Sequence, residues 1–431
     1  MHKTNSIRVA ASRLRFRPTA LQQRFQSSAA TQTEELLATA SDYLLPVYAR
    51  PPFVLSHGRG SYVWDTNGRK YLDFSAGIAV NALGHGDEEL VQVISEQTAK
   101  LLHTSNVYHN EWAPRLAQLL SRVRWREGVF LKLGHGGERG ALKIARKVGK
   151  DRGGEQKTGI VCFENAFHGR SMGALSVTPN PKYQGPFAPL IPGVSVGKMN
   201  DHEGLQTLVT GETCAVIVEP IQGEGGVTAA HADWLIALRK RCDEVGAVLI
   251  FDEIQCGLYR SGNLWAHSTL PLEGHPDIVT MAKPLANGYP IGAVLLRNTV
   301  AETMTAGSHG TTFGGSPLAC AVGYHVLSRL SSPEMASHIA ETSAHLDSRL
   351  QQLPKQFPDV LEPVVRGRGL IRGLGFQDAS KPGVVVEKAR ERGVFVLTAG
   401  KNAVRLVPSL NVRKEEVDIA VGVVTEAIRE L

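Results

Sequence analysis

Apolar runs of strand length recur along this chain, and the charges that close them carry more information than the runs themselves. The runs 247–251 and 277–282 are short and rich in β-branched residues; the first closes on Asp252-Glu253 and the second on Lys283. A third run, 215–218, closes in the same way at Glu219-Pro220. In an open α/β sheet, ligands occupy the crevice beyond the carboxyl ends of the strands, so an acid and a lysine that end successive runs are expected to face one pocket. Amphipathic stripes of helical period cover 88–102 and 113–123, and 317–330 reads as a helix behind a polar, glycine-rich loop at 308–315. The stretch 45–80 alternates around Asp65-Thr66-Asn67-Gly68, which predicts a hairpin. From Thr158 a strand–helix alternation resumes, and from about Ser331 the pattern is that of a small α+β domain.

The chain has 431 residues, more than one compact core holds, so two or three domains are expected. Hydrophobic residues make up 42%, and no apolar run approaches membrane-spanning length. The formal charge is +6, and residues 1–33 alone carry Lys3, Arg8, Arg13, Arg15, Arg17 and Arg24 with no acid before Glu34. That composition is expected of a mitochondrial transit peptide. The basic balance therefore speaks of import, and it gives no reason to expect a nucleic-acid partner. The cysteines, Cys162, Cys214, Cys242, Cys256 and Cys320, lack CxxC spacing and read as free thiols.

A lysine at a strand end is often merely solvated. Lys283 has company that changes the reading. Lysine forms Schiff bases with carbonyl compounds where a desolvated, electropositive site lowers its pKa. Pyridoxal phosphate needs such a lysine, a carboxylate against its ring nitrogen and a phosphate cradle, and Asp252 is the natural carboxylate. The segments FDEIQCGLYRSG, TMAKPLANGYPIG and HGTTFGGSPLA resemble the class III pyridoxal-phosphate aminotransferases, and the likeness runs from about Leu45 to the C-terminus.

The resemblance implies an α/β chain of fold type I. A transit peptide at 1–33 and an N-terminal segment at 34–85 would precede a large, mostly parallel sheet domain at 86–330 and a small α+β domain at 331–431, in a homodimer with shared active sites. It implies that Lys283 carries the cofactor and moves protons, that Asp252 and Gln255 meet the ring nitrogen and ring hydroxyl, and that Phe167 stacks on the ring. Arg170 would hold the substrate α-carboxylate, and Arg405 a second carboxylate, shielded by Glu224 in one half of the reaction. Thr311 would lie near substrate and Thr312 on the neighbouring subunit's cofactor phosphate. The bland alternatives are a surface arginine, solvated loop acids, a helix-capping threonine and a strand-edge arginine.

The reaction implied passes the terminal amino group of N-acetylornithine to 2-oxoglutarate. Ornithine and 4-aminobutyrate are alternative donors, and a non-catalytic paralogue is a further reading. Ile78 stands where ornithine-specific members carry tyrosine. Burying an ammonium beside isoleucine costs several kcal/mol, so the acetylated donor is expected to be preferred unless Ile78 simply packs in the core.

One stretch departs from the family. Where a Ser-Gly-Thr-Glu-Ala-Asn-Glu-Gly turn is expected to open a phosphate-binding helix, this chain has Leu133-Gly134-His135-Gly136-Gly137-Glu138-Arg139-Gly140. The amides of Gly134 and His135 can still meet phosphate, but the hydroxyls are gone. His135 and Glu138 have no third ligand beside them and are not read as a metal site. Written in GC-rich codons (TCG GGC ACG GAG GCG AAC GAG GGN) and read one base early, the family turn translates to the residues 133–140 in order. A compensated frameshift in the recorded gene accounts for all eight.

Overall fold

The computed structural model describes residues 29–122, 132–133 and 137–431. They form two compact units, one holding the described residues up to Ser56 with Trp64–Arg69, the other His57–Val63 with Lys70–Leu431. In the first unit a helix, Ala29–Tyr43, places Thr33 Oγ1 at 2.6 Å from Thr66 Oγ1 and 3.1 Å from Asn67 Oδ1. The turn expected at 65–68 is present: Asp65 Oδ1 accepts from the N–H groups of Asn67 and Arg69, and Gly68 takes φ +80°.

The second unit is built on a seven-stranded sheet. Its strands in chain order are β1 (Lys132–Leu133), β2 (Gly159–Phe163), β3 (Val194–Gly197), β4 (Thr213–Val218), β5 (Val248–Asp252), β6 (Ile278–Met281) and β7 (Ala293–Leu296), ordered β1-β7-β6-β5-β4-β2-β3 in space. Only β7 runs against the rest. Parallel strands covered on both faces read as unbroken apolar runs, and every residue of β4, β5 and β6 is buried. Side chains alternate between faces. Ile217 and Ile250 pack with Ile144 and Val148 of helix α1 (Gly137–Gly153), whereas Val216, Val218, Leu249 and Phe251 pack with Trp234 and Leu238 of helix α2 (Ala232–Val245). Asp252, two residues past Ile250, continues the α1 face. The run expected at 277–282 is regular only over β6, because the Asp277 carboxylate is turned to the Leu249 N–H at 2.8 Å and to Arg239 at 2.6 Å.

Helix α3 (Pro317–Leu330) has the bounds expected, with Pro317 at its first position. Beyond it, α4 (Pro333–Leu350), β8 (Leu361–Arg368), β9 (Ile371–Phe376), β10 (Leu397–Ala399), β11 (Ala403–Leu406) and α5 (Lys414–Arg429) form the α+β part, with antiparallel strands ordered β8-β9-β11-β10. Its core joins Leu374, Phe376, Val404 and Leu406 to Ile339, Leu346, Val417 and Val424 of the two helices.

Candidate active site

Three strand ends meet as the sequence predicts. Asp252 closes β5 in register with Thr280 of β6, and Lys283 opens the single turn Lys283–Ala286 just past that strand. Burial, with Arg405 adding, pulls the Lys283 ammonium below its ordinary pKa against the opposing pull of Glu224, Glu219 and Asp252. No acid or carbonyl among the described residues takes its Nζ. Asp252 is 3% exposed, and its Oδ1 accepts from Thr280 Oγ1 and the Ile254 N–H, both at 3.1 Å. Its Oδ2 meets His168 Nδ1 at 2.7 Å.

His168 was not foreseen as a functional residue, although it lies inside Phe167-His168-Gly169-Arg170. It is fully buried. Burial alone would lower its pKa, but the Asp252 bond and the charges of Glu219 and Glu138 raise it. Its Nε2 is buried without a partner among the described residues. Glu219 closes β4, and burial, with the Asp252 charge, pushes its carboxyl up to about 7 against the pull of His168. Its oxygens accept from the Phe167 N–H at 2.9 Å and the Gly223 N–H at 3.3 Å. Glu138, in the first turn of α1, is raised to about 7 by burial and by Asp252, so the departing turn adds an acid to the site that no reading of the sequence assigned. Gly134 and His135 lie outside the described residues.

Two arginines stand in contrasting states. The Arg170 guanidinium lies over the Tyr183 ring at 3.3 Å and 5.7 Å from the Phe167 ring, exposed, with no carboxylate among the described residues. Arg405 on β11 is 1% exposed, and its Nη1 donates to Glu224 Oε1 at 2.7 Å, Gln255 Oε1 at 2.6 Å and the Gly223 carbonyl at 2.8 Å. Gln255, expected at the ring hydroxyl, therefore spends its carbonyl on Arg405. A Cβ on Gly223 would fall 2.1 Å from that oxygen, so a larger residue there would displace the Gln255 amide from Arg405.

Ile78 sits in an unusual wall. Ala76, Gly77, Ile78 and Ala79 have φ of 45°, 63°, 64° and 64°, a left-handed helical turn closed by Ala79 N–H to Ser75 O at 2.9 Å and Val80 N–H to Ala76 O at 2.8 Å. The turn is capped by Asp73, whose Oδ1 accepts from the Ser75 N–H, the Ala76 N–H and Ser75 Oγ while Oδ2 meets His85 Nε2 at 2.8 Å. Asn287, four residues past Lys283, ties the same wall to the lysine loop: its Oδ1 accepts from the Leu83 N–H at 2.7 Å and its Nδ2 donates to the Gly84 carbonyl at 3.0 Å. Ile78 is 42% exposed, which excludes packing in the core as its role. Thr311 and Thr312 are not brought to this group. Thr312 is exposed in its loop, and the Thr311 carbonyl accepts from Asn106 Nδ2 at 2.8 Å.

The residues fit pyridoxal phosphate: a desolvated lysine without a hydrogen-bond partner among the described residues, an oriented buried carboxylate and an aromatic ring at Phe167. The comparisons agree. The model of the family described as aminotransferase class-III matches residues 45–428. The chain is 50% identical to the mitochondrial acetylornithine aminotransferase of Yarrowia lipolytica over 93% of its own length and 97% of the relative's. It is 49% identical to that of Neurospora crassa, over 89% and 85%. Among solved structures, N-acetylornithine aminotransferase from Stenotrophomonas maltophilia superposes with a TM-score of 0.76 at 34% identity, covering 91% of this chain and 98% of that one. Ornithine aminotransferase from Toxoplasma gondii does so with 0.87 at 29%, covering 96% and 99%. The chain belongs to the class-III aminotransferases, which are pyridoxal-phosphate-dependent transaminases.

Proposed function

We propose that this chain transfers the terminal amino group of N2-acetylornithine to 2-oxoglutarate, giving N-acetylglutamate semialdehyde and glutamate, as a homodimer in the mitochondrial matrix. The observation that carries this reading is the contrast between the two arginines: Arg170 is open, whereas Arg405 is latched by Glu224 at 2.7 Å. A donor with one carboxylate and a neutral acetamide needs a single arginine. A dicarboxylate acceptor needs two, and its second carboxylate would take the place of Glu224 on Arg405.

Bound at this site, pyridoxal phosphate supplies the electrophilic carbon and the electron sink. Lys283 is the group whose burial favours a neutral amine, so its Nζ is suited to carry the cofactor and then to move the proton at the reacting carbon. Asp252, fixed by Thr280, Ile254 and His168, would keep the ring nitrogen protonated. Phe167, held by Glu219 through its N–H, would cover the ring face. Ile78 would penalise the free ammonium of ornithine.

Dimerisation is supported by an exposed apolar surface. Leu102, Val107, Tyr108 and Phe313 are 52%, 76%, 72% and 61% exposed, on two segments joined by Asn106 to Thr311 and Asn110 to Gly315. A second copy covering this surface would receive Thr311 and Thr312 beside its own site. The homologues named mitochondrial and the basic residues before Glu34 support the location.

Transamination assays with acetylornithine, ornithine and 4-aminobutyrate against 2-oxoglutarate test the reading. Acetylornithine should give the highest kcat/KM. A clear preference for either free amine would assign the chain to another donor, and no exchange by a folded, cofactor-loaded protein would favour the non-catalytic reading.

A further inference from the structure

The loop that carries Glu224 is held by residues outside the site described above. The Gly400 N–H donates to the Glu224 carbonyl at 2.6 Å, and Arg366 Nη1 donates to the Gly226 carbonyl at 3.1 Å. Arg366, near the end of β8, is itself aimed: Glu362 Oε2 accepts from its Nε at 3.2 Å and its Nη2 at 2.5 Å, and Asn402 Oδ1 accepts from Nη2 at 3.2 Å. Asn402 Nδ2 secures the other Glu362 oxygen at 2.8 Å. Packing does not fix the outer face of the loop. A cavity of about 650 Å³ lies there, lined by Gly225, Gly226, Thr228, Arg366, Gly400 and Asn402.

The inner side is under tension. Val227, fully buried, takes φ +59°, a region that β-branched residues rarely enter. It is wedged where a Cβ on Gly367 would come within 2.6 Å of its Cγ1 and one on Gly373 within 2.9 Å of its Cβ. The loop is the tip of a short hairpin paired at Ile221 with Ala229 and Gln222 with Thr228, and on its open side the bonds from Gly400 and Arg366 hold the Glu224 and Gly226 carbonyls.

We propose that Arg366 is a positioning residue for the Glu224–Arg405 pair, holding the loop backbone so that Glu224 shields Arg405 from a monocarboxylate donor and yields to a dicarboxylate by side-chain rotation alone. The proposal rests on the reading above that Arg405 receives the acceptor's second carboxylate. Glu224 and a dicarboxylate compete for one buried guanidinium, so whatever weakens the hold of Glu224 strengthens that of the dicarboxylate. The same loosening exposes Arg405 to the donor's single carboxylate, which then binds in unproductive orientations.

The test measures glutarate binding to holoenzyme by calorimetry, together with donor kcat and KM, in wild type, Arg366→Met, Glu224→Ala and the double variant. Arg366→Met should bind glutarate at least about fivefold more tightly and lose donor kcat/KM. The double variant should bind no more tightly than Glu224→Ala, because Arg366 acts only through Glu224. If Glu224→Ala leaves glutarate binding unchanged, the reading of Arg405 fails. If Glu224→Ala tightens it while Arg366→Met does not, or if the two effects add, the role of Arg366 is refuted. Should Arg366→Met not accumulate as folded holoenzyme, Glu362→Gln, which loosens the aim of Arg366 without removing it, is judged by the same criteria with a smaller shift. Arg366→Lys, able to reach the Gly226 carbonyl with one donor, should restore part of the wild-type balance.

Discussion

Replacing Glu219 by glutamine should reverse its effect on stability with pH. Glu219 is fully buried at the end of β4, and burial with the Asp252 charge raises its carboxyl from 4.5 to about 7. Between those values the folded chain keeps a proton that the unfolded chain has released, so stability falls as pH rises through the window and the whole cost remains above 7. At about 1.4 kcal/mol per pKa unit the ceiling is about 3 kcal/mol. Glutamine has the same shape and no such slope, but its single carbonyl oxygen must serve both the Phe167 and Gly223 N–H groups, a loss of about 1 kcal/mol. The variant should therefore be the less stable protein near pH 4, by about 1 kcal/mol, and the more stable one near pH 8, by at most about 2 kcal/mol. Thermal unfolding of both cofactor-free proteins across that range gives the difference directly, because neighbouring groups that titrate alike in the two proteins cancel. A difference that does not change with pH would refute the argument that Glu219 is held protonated by its burial.

Four further outcomes are expected. Lys283→Ala should lose the visible absorbance of lysine-linked cofactor and nearly all turnover while eluting at the same volume as the wild-type protein; retained absorbance and activity would remove Lys283 from the mechanism. Ile78→Tyr should raise kcat/KM for ornithine relative to acetylornithine by about tenfold or more, as relief of even about 1.4 kcal/mol of ammonium burial requires, and an unchanged ratio would show that this wall does not set specificity. N-terminal sequencing of the native protein should find a start between Arg24 and Thr33, since Thr33 bonds Thr66 and Asn67; an intact Met1 or a start beyond Thr33 contradicts this. Mass spectrometry of the native peptide over residues 128–143 should read the family turn, with asparagine in place of Glu138, and a peptide containing LGHGGERG would establish the buried extra acid as native, with weakened cofactor affinity to follow.

Much of the fold was legible because parallel strands buried on both faces announce themselves as apolar runs. The runs at 215–218 and 247–251 match β4 and β5 within a residue or two at each end. The acid and lysine at the strand ends needed only the rule that sheet carboxyl ends face the crevice. The pairing of Glu224 with Arg405, 181 residues apart, came from the family likeness alone, since no local pattern encodes a contact between a loop and a distant sheet. His168 was passed over for a related reason. A histidine after phenylalanine is unremarkable in sequence, and its meaning lies in Asp252, 84 residues away, reaching its Nδ1.

The left-handed turn at 76–79 was illegible on different grounds, because the sequence argues against it. Only Gly77 of its four residues adopts positive φ freely, and the other three cost about 1–2 kcal/mol each in that region. What offsets this is tertiary. The Asp73 carboxylate accepts from two backbone N–H groups and a hydroxyl of the turn and is fixed by His85, contacts worth about 1–2 kcal/mol each. Burial would raise the Asp73 carboxyl, yet the His85 and Ser75 hydrogen bonds hold it below the ordinary range, so the cap keeps its charge at neutral pH. Ala79 anchors the far side among Ile221, Cys256 and Val407. The reversal of hand leaves Ile78 partly open while its neighbours Ala76 and Ala79 are buried. A right-handed turn would have required none of this support. Backbone strain maintained by a buried carboxylate, with Asn287 tying the Lys283 loop to Leu83 and Gly84 just beyond the turn, would hold Ile78 rigidly enough to discriminate between donors in the way proposed above.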